Sequence, residues 1–240
     1  MKQFIFGAFL FSVSASFSPA LLWAQEAVQP VVSAEPSWMP ILEKAREMKK
    51  KGEYAEAAKN YQYLLEKEAL GTYGGSIREE YDAYRMEAIL SPIEMEDSLV
   101  HEVASGDNLY DLAKKHGTTI ELIKKSNRLE SDKILIGQKL KVTKIKFSLL
   151  IEKKGNYLIL EADGKRLKKY SVATGENGST PIGTFKIINK LENPAWFHAG
   201  AIVPPDSPDN ILGTRWLGFD KAGYGIHGTT KPESIGKNIS

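Results

Sequence analysis

One histidine of this chain stands in a setting that could do chemistry. It is His227, inside the stretch YGIHGTTKPESIGKNIS at residues 224–240. Near neutral pH an imidazole can take a proton and return it, so beside a nucleophile it can drive acyl transfer. The hydroxyls of Thr229, Thr230, Ser234 and Ser240 follow it in sequence. An unactivated hydroxyl is a far poorer nucleophile than a thiolate, and these 240 residues contain no cysteine. That composition excludes disulfides, thiolate metal sites and a cysteine nucleophile within them. His101, His116 and His198 are scattered along the chain. None stands at metal-ligand spacing from a carboxylate, so no metal and no cofactor is expected. By itself His227 could also be a hydrogen-bonded histidine at a strand end.

The elements that would hold His227 read as strands. From Lys146 the pattern becomes short apolar runs broken by KKGN and ADGK, which are hairpin signals. Strands are expected over 147–152, 157–161 and 167–172, with Asp163-Gly164 as a favoured tight turn. Further phrases follow in order: Thr174-Gly175, Thr180-Pro181, Gly183-Thr184-Phe185, Leu212-Gly213, Arg215-Trp216 and Tyr224-Gly225-Ile226-His227-Gly228-Thr229. Taken together, residues 147–240 resemble the catalytic domain of the L,D-transpeptidases, the YkuD type.

The resemblance implies a mostly-β domain and an acyl transfer through a cysteine thioester. In the family, a thiolate attacks the carbonyl of the third residue of a peptidoglycan stem tetrapeptide and expels D-alanine. An amine then takes the acyl group. The family signature is a first histidine, about fourteen to seventeen residues, then Ser/Thr-His-Gly-Cys. His227 fits the first histidine, the general base, and Ser240 fits the serine of the second run. Gly228, Tyr224 and Arg215 are carried over as substrate-contacting positions. Arg215 could bind a stem carboxylate or could serve a loop, and Trp216 reads as core. His198, in a Pro-flanked loop, reads as surface. On this reading the domain is expected to be C-terminally incomplete, and the chain without its cysteine inactive. Two readings stay open: a fragment of an active enzyme, or a non-catalytic wall-binding protein.

Upstream, residues 101–142 read HEVASGDNLYDLAKKHGTTIELIKKSNRLESDKILIGQKLKV. A short strand and an SGDN turn lead to a helix with Leu109, Leu112 and Ala113 inward and Gly117 as C-cap. Thr118 with Glu121 reads as a capping box opening a second helix. A strand with a Gly turn closes the unit, giving β-α-α-β. The segment closely resembles a LysM domain, placed at 100–143. The resemblance implies binding of N-acetylglucosamine-containing glycan in a shallow groove between two loops. Those loops carry Ser105, Gly106, Asp107, Asn108 and Leu109 on one side and Leu135, Ile136 and Gly137 on the other. Backbone amides of the SGDN turn could bond the N-acetyl group, and Leu109 and Ile136 could meet the sugar's apolar faces. Asp107 could instead merely cap the helix.

Residues 38–92 carry apolar residues at helical spacing. Ile41, Leu42, Ala45 and Met48 form one stripe; Tyr54, Ala57, Ala58, Tyr61, Leu64 and Leu65 form another after Gly52. Ser76 and Glu79 of SIRE read as a capping box for a third helix bearing Ile77, Tyr81, Tyr84 and Ala88. The phrase GEYAEAAKNYQYLL resembles a tetratricopeptide helix-turn-helix. A helical spacer is preferred over a peptide-binding groove, and the aromatic stripe over a ligand site.

The N-terminus has Lys2, an apolar run over 4–17 and small residues near Ala24. That is the layout of a signal peptide at 1–24, followed by a flexible leader at 25–37; an uncleaved anchor is the alternative. The fold class is therefore α+β and multidomain. The chain is expected to be exported to the periplasm or cell wall, without a transmembrane segment in the mature chain. Its expected partners are peptidoglycan glycan strands and stem peptides. The formal charge of +2 is too small to argue for nucleic acid. Nothing in the sequence sets an oligomeric state.

Overall fold

A computed structural model describes residues 35–239 apart from 68, 96–97 and 199. The segments read as signal peptide, at 1–24, and most of the leader read at 25–37 lie outside the described residues. Three helices come first: α1 (Met39–Lys51), α2 (Tyr54–Lys67) and α3 (Gly74–Ile89). Gly52, left-handed at φ 82°, ends α1 and lets α2 fold back. The tyrosine stripe is core. Tyr61 stacks on Tyr81 and Tyr84 at 5.5 and 5.9 Å, and Tyr54 stacks on Tyr84 at 5.9 Å. The buried Tyr61 hydroxyl donates to Glu80, whose carboxylate also takes two bonds from Arg46, at 2.9 and 2.7 Å.

Ser76 does not cap α3. A 3-10 turn at Gly71–Tyr73 already winds the chain, so α3 opens at Gly74 and Ser76 lies within its first turn. There its hydroxyl donates back to the Tyr73 carbonyl at 2.9 Å.

The next unit runs β1 (Ser98–Glu102), α4 (Leu109–His116), α5 (Ile120–Asn127) and β2 (Lys139–Thr143). The two strands pair antiparallel, with His101 opposite Leu140. Asn108 caps α4, its Oδ1 accepting from the Asp111 amide at 2.9 Å. Gly117 closes α4 in the left-handed conformation, as expected. Thr119, not Thr118, caps α5. Thr118 is committed to the preceding helix end: its amide donates to Ala113 at 3.0 Å. Asn127 grips β2 like a strand neighbour. Its Nδ2 donates to the Lys141 carbonyl at 2.8 Å and its Oδ1 accepts from the Lys141 amide at 2.7 Å.

The remaining strands are β3 (Phe147–Glu152), β4 (Tyr157–Ala162), β5 (Lys165–Ser171), β6 (Ile187–Glu192), β7 (Trp196–His198), β8 (Ala201–Val203), β9 (Arg215–Phe219) and β10 (Gly225–His227). They form a β3-β4-β5 meander, a β10-β9-β6 sheet and a β7-β8 hairpin. Asp163-Gly164 makes the expected β4–β5 turn, both residues at positive φ. The strand ends differ slightly from expectation, with β4 reaching Ala162 and β5 starting at Lys165.

Among the described residues three buried clusters stand out. One fills the helical region and one the βααβ unit. The third joins Ile89 of α3, Leu122 of α5, Ile145, Ala162 of β4 and Leu167 of β5. All three draw on residues no later than Leu167. Beyond it, polar contacts bear more of the load. The segment at 236–238 runs beside 172–174, with Gly236 N donating to Val172 O and Thr174 N to Lys237 O, both at 3.0 Å. The Thr174 hydroxyl bonds Asn156 Oδ1 at 2.7 Å and Asn238 Oδ1 at 2.9 Å.

Asn127→Ala would strand two β2 backbone groups in a part-buried site. A loss of about 1–3 kcal/mol is expected, measured by denaturant unfolding.

Candidate functional site

His227 ends β10, paired in register with Trp216 of β9. Two close approaches fix that pairing. Gly213 has φ +63°, and a Cβ there would come within 2.9 Å of Thr229 N and 3.0 Å of the Gly228 carbonyl carbon. A side chain could not fit, so the Leu212-Gly213 phrase brings one backbone against the other just past His227. Gly225 lies under the Trp216 ring, where a Cβ would be 2.7 Å from Trp216 Cζ2. The Trp216 and His227 rings stack with centroids 6.1 Å apart and planes 20° from parallel. Trp216 is thus half-buried as a platform for the imidazole, a role that the sequence reading as core missed.

The imidazole has a defined tautomer. His227 Nδ1 lies 2.7 Å from the Gly228 carbonyl oxygen. A carbonyl only accepts, so Nδ1 carries the hydrogen, and in the neutral ring Nε2 is the basic nitrogen. Gly228 N in turn donates to Arg215 O at 3.0 Å. The Arg215 side chain turns to the Glu192 carboxylate at 3.4 Å and the Thr214 carbonyl at 2.8 Å. Tyr224 precedes β10, with its ring under the Lys221 ammonium at 5.1 Å. The structure therefore gathers Arg215, Gly228 and His227 through the β9–β10 backbone. Ser234 sits in a 3-10 turn at Pro232–Ser234, its hydroxyl 3.5 Å from that of Thr229. Ser240 and the His198 side chain lie outside the described set.

The second candidate site is a groove on the βααβ unit. Its two loops are sewn together by backbone bonds: Val103 N to Gln138 O at 2.9 Å and Gly137 N to Val103 O at 2.8 Å. This places Ser105, Gly106, Asp107 and Asn108 beside Leu135, Ile136 and Gly137. Leu135 and Ile136 stand 73% and 74% exposed, an apolar pair on the surface. Leu109 does not join them. It is 2% exposed and packs in the unit's core, so its side chain cannot meet a sugar. The reason is periodic: Leu109, Leu112 and Ala113 share the inward face of α4.

Asp107 neither caps the helix nor faces solvent alone. Its Oδ2 accepts from Ala104 N at 2.8 Å and from His101 Nε2 at 2.7 Å, tying the loop to β1. The Ala104 amide, then His101, hold its carboxyl below the usual range. The His101 link was not legible from spacing, because it crosses from strand to loop. His116 packs edge-on to His101 at 5.9 Å, and burial pushes its imidazole down. Among the described residues no cluster of three or more His, Asp or Glu is placed to hold a metal ion, and no helix is long and apolar enough to cross a membrane.

Comparison with known proteins finds two domain families in the chain. Residues 101–143 match the LysM domain, and residues 146–240 match the L,D-transpeptidase catalytic domain. Over 98 residues the chain is 43% identical to the Bacillus subtilis protein named "Putative L,D-transpeptidase YqjB", covering 38% of this chain and 54% of that one. It is 29% identical over 150 residues to "Putative L,D-transpeptidase YkuD" of Bacillus licheniformis, covering 59% and 82%. Over 43 residues it is 51% identical to "Probable endopeptidase p60" of Listeria welshimeri, covering 18% of this chain and 8% of that one. The chain thus spans about half the length of YqjB.

Two outcomes test these geometries. Gly213→Ala should cost about 1–3 kcal/mol from the left-handed backbone alone. It should also change the His227 ring signals in 15N-edited NMR, which in the wild type should report hydrogen on Nδ1. For Asp107 the folded pKa is lowered, so its contribution is full above the unfolded value of about 3.9. It fades as pH falls through the lower folded value. The Ala104 amide resonance should move over that acid range, and Asp107→Asn should abolish the movement.

Proposed function

We propose that this chain, which carries a LysM domain and an L,D-transpeptidase catalytic domain, is an exported protein of peptidoglycan cross-linking. LysM holds glycan, and the domain built around His227 handles stem peptides. The observation that carries the reading is the Nδ1–Gly228 bond, which presents Nε2 as the proton acceptor a thiol nucleophile needs.

The chemistry is a two-step acyl transfer. A base removes the thiol proton, and the thiolate attacks the carbonyl of the third stem residue. The C–N bond to D-alanine breaks, and the proton passes to the leaving amine. An acceptor amine then attacks the thioester and releases the thiol. In this scheme His227 is the base, stacked on Trp216 and kept in one tautomer by Gly228. The substrate positions are Gly228, Tyr224 and Arg215. An arginine suits a stem carboxylate because its fork makes paired bonds, and Arg215 would exchange Glu192 for substrate to do so. The groove residues Ser105, Gly106, Asp107, Asn108, Leu135, Ile136 and Gly137 supply backbone polar groups and an exposed apolar rim for N-acetyl sugars. The place of action is the periplasm or cell wall.

The cysteine of this reaction is not among these 240 residues. That observation favours a second reading for the chain itself, a glycan-binding protein that performs no acylation. The 240-residue chain is expected to sediment with purified peptidoglycan without adding cross-links. Intact mass after carbapenem treatment should show no covalent adduct. An adduct would place a nucleophile on another side chain and overturn this assignment. Sedimentation unchanged after Ile136→Asp with Leu135→Asp would remove the groove from the account.

A further inference from the structure

We infer that α3 is a bracket that locks the LysM domain to the β3–β4–β5 sheet as one rigid body, with Asp82, Arg166 and Lys141 as positioning residues. The inference rests on the reading of LysM as the glycan anchor and of the following domain as the acyl-transfer unit. It concerns the helical region, whose role neither domain match explains.

Three independent contacts converge on this helix. Toward the sheet, Asp82 is 3% exposed, and its Oδ2 accepts from Arg166 Nε and Nη2, both at 2.9 Å. One turn on, Arg85 donates to the Arg166 carbonyl at 3.0 Å. Toward LysM, the C-terminal end of α3 meets a buried ammonium. Lys141 of β2 is 3% exposed, and its Nζ donates to the Ala88 carbonyl at 2.5 Å and the Ser91 carbonyl at 3.0 Å. The last carbonyls of a helix lack intrahelical partners and carry its negative end, so a cation there satisfies both needs. Between these contacts lies the apolar seam, where Ile89 packs with Leu122, Ile145, Ala162 and Leu167.

The seam reaches into the connection itself. Only residues 144–146 separate β2 from β3, and Ile145 within them is 6% exposed. A tether with its middle residue in a core cannot swivel freely. Removing a charge from water is costly unless its partners are preset. Lys141 is preset by Asn127, which bonds its backbone on both sides. Asp82, Arg85 and Ile89 fall three, four and seven residues apart, one face of α3. A solvent-facing spacer would have no use for an acid, a base and an isoleucine on its packed side.

The consequence is a fixed offset. Sugar bound between the 104–108 and 135–137 loops would stand at a set distance and angle from the first catalytic sheet. LysM then acts as a register and not only as a tether.

Distance measurement by pulsed electron spin resonance tests this on the 240-residue chain, within which there is no cysteine to remove. Spin labels at Lys114→Cys on α4 and Lys154→Cys beside β3 should give one narrow distance distribution. Asp82→Ala and Lys141→Met should each broaden it. The pair Asp82→Leu with Arg166→Met, which replaces the ion pair by apolar bulk, should restore a narrow one. Titration with chitin oligosaccharide should be unchanged in all of these variants, a result that separates lost coupling from a damaged LysM fold. A broad distribution in the parent protein, or a narrow one in both single variants, would overturn the bracket. Absence of oligosaccharide binding beside a narrow parent distribution would overturn the register role and the LysM reading, leaving the rigid joint standing.

Discussion

The helical region and the LysM unit are each too small to bury a generous core alone, and the structure adds a core that they share with the β3–β4–β5 sheet. Domains of some forty to sixty residues hide a smaller fraction of their surface than larger ones do and are marginal by themselves. Here the end of α3, the flank of α5 and the open faces of β4 and β5 close over Ile89, Ile145 and Leu167. Water is excluded at the edge of that seam, so a charged group caught there is costly without a partner, although Asp82 Oδ1 and Ser91 Oγ stay unpaired. Lys141 finds helix carbonyls and Arg166 finds Asp82. Burial pushes the Asp82 carboxyl up and Arg166 opposes it, a contest that only close packing creates. The apolar joint comes first in this logic, and the buried charges follow from it.

The end of the molecule around His227 is held in a different way. Around His227 the order comes from backbone-to-backbone closeness: Gly213 against Gly228, Gly225 beneath Trp216, and Gly228 bonded to Arg215. Short strands with little apolar burial depend on such contacts. The Asn189 side chain adds another, accepting from Gly218 N at 3.0 Å across an irregularity in the β6–β9 pairing. An imidazole mounted on this frame has its ring plane set by stacking and its proton set by one carbonyl. The same logic orders the LysM groove, where Asp107 and two backbone bonds pin the loops while the side chains at the rim stay open.

How much of this could be read from sequence divides along distance in the chain. The Asp163-Gly164 turn, the Gly117 helix end and the tyrosine stripe involve neighbours within a few residues, and local rules found them. Ser76 and Thr118 misled for the same reason: each has the right local pattern, but the preceding turn had already claimed its backbone. The sequence offers Leu109 both an inward place on α4 and a contact with sugar, and its burial leaves it only the first. Contacts such as Asp82 with Arg166, or Lys141 with Ala88, join residues more than fifty positions apart. No periodicity announces those. A lysine in a strand reads as surface until the helix that covers it is in view.

The buried linker residue has a consequence for how such proteins are assembled from parts. LysM units are commonly thought of as beads that can be strung before any enzyme. In this chain the bead and its neighbour are fused through Ile145. Cutting the gene between β2 and β3 would leave Leu122 and Leu167 facing water on opposite products. A graft that moved the LysM unit to a new host would need α3 to travel with it, so the portable module here begins at the first helix and not at the first LysM strand.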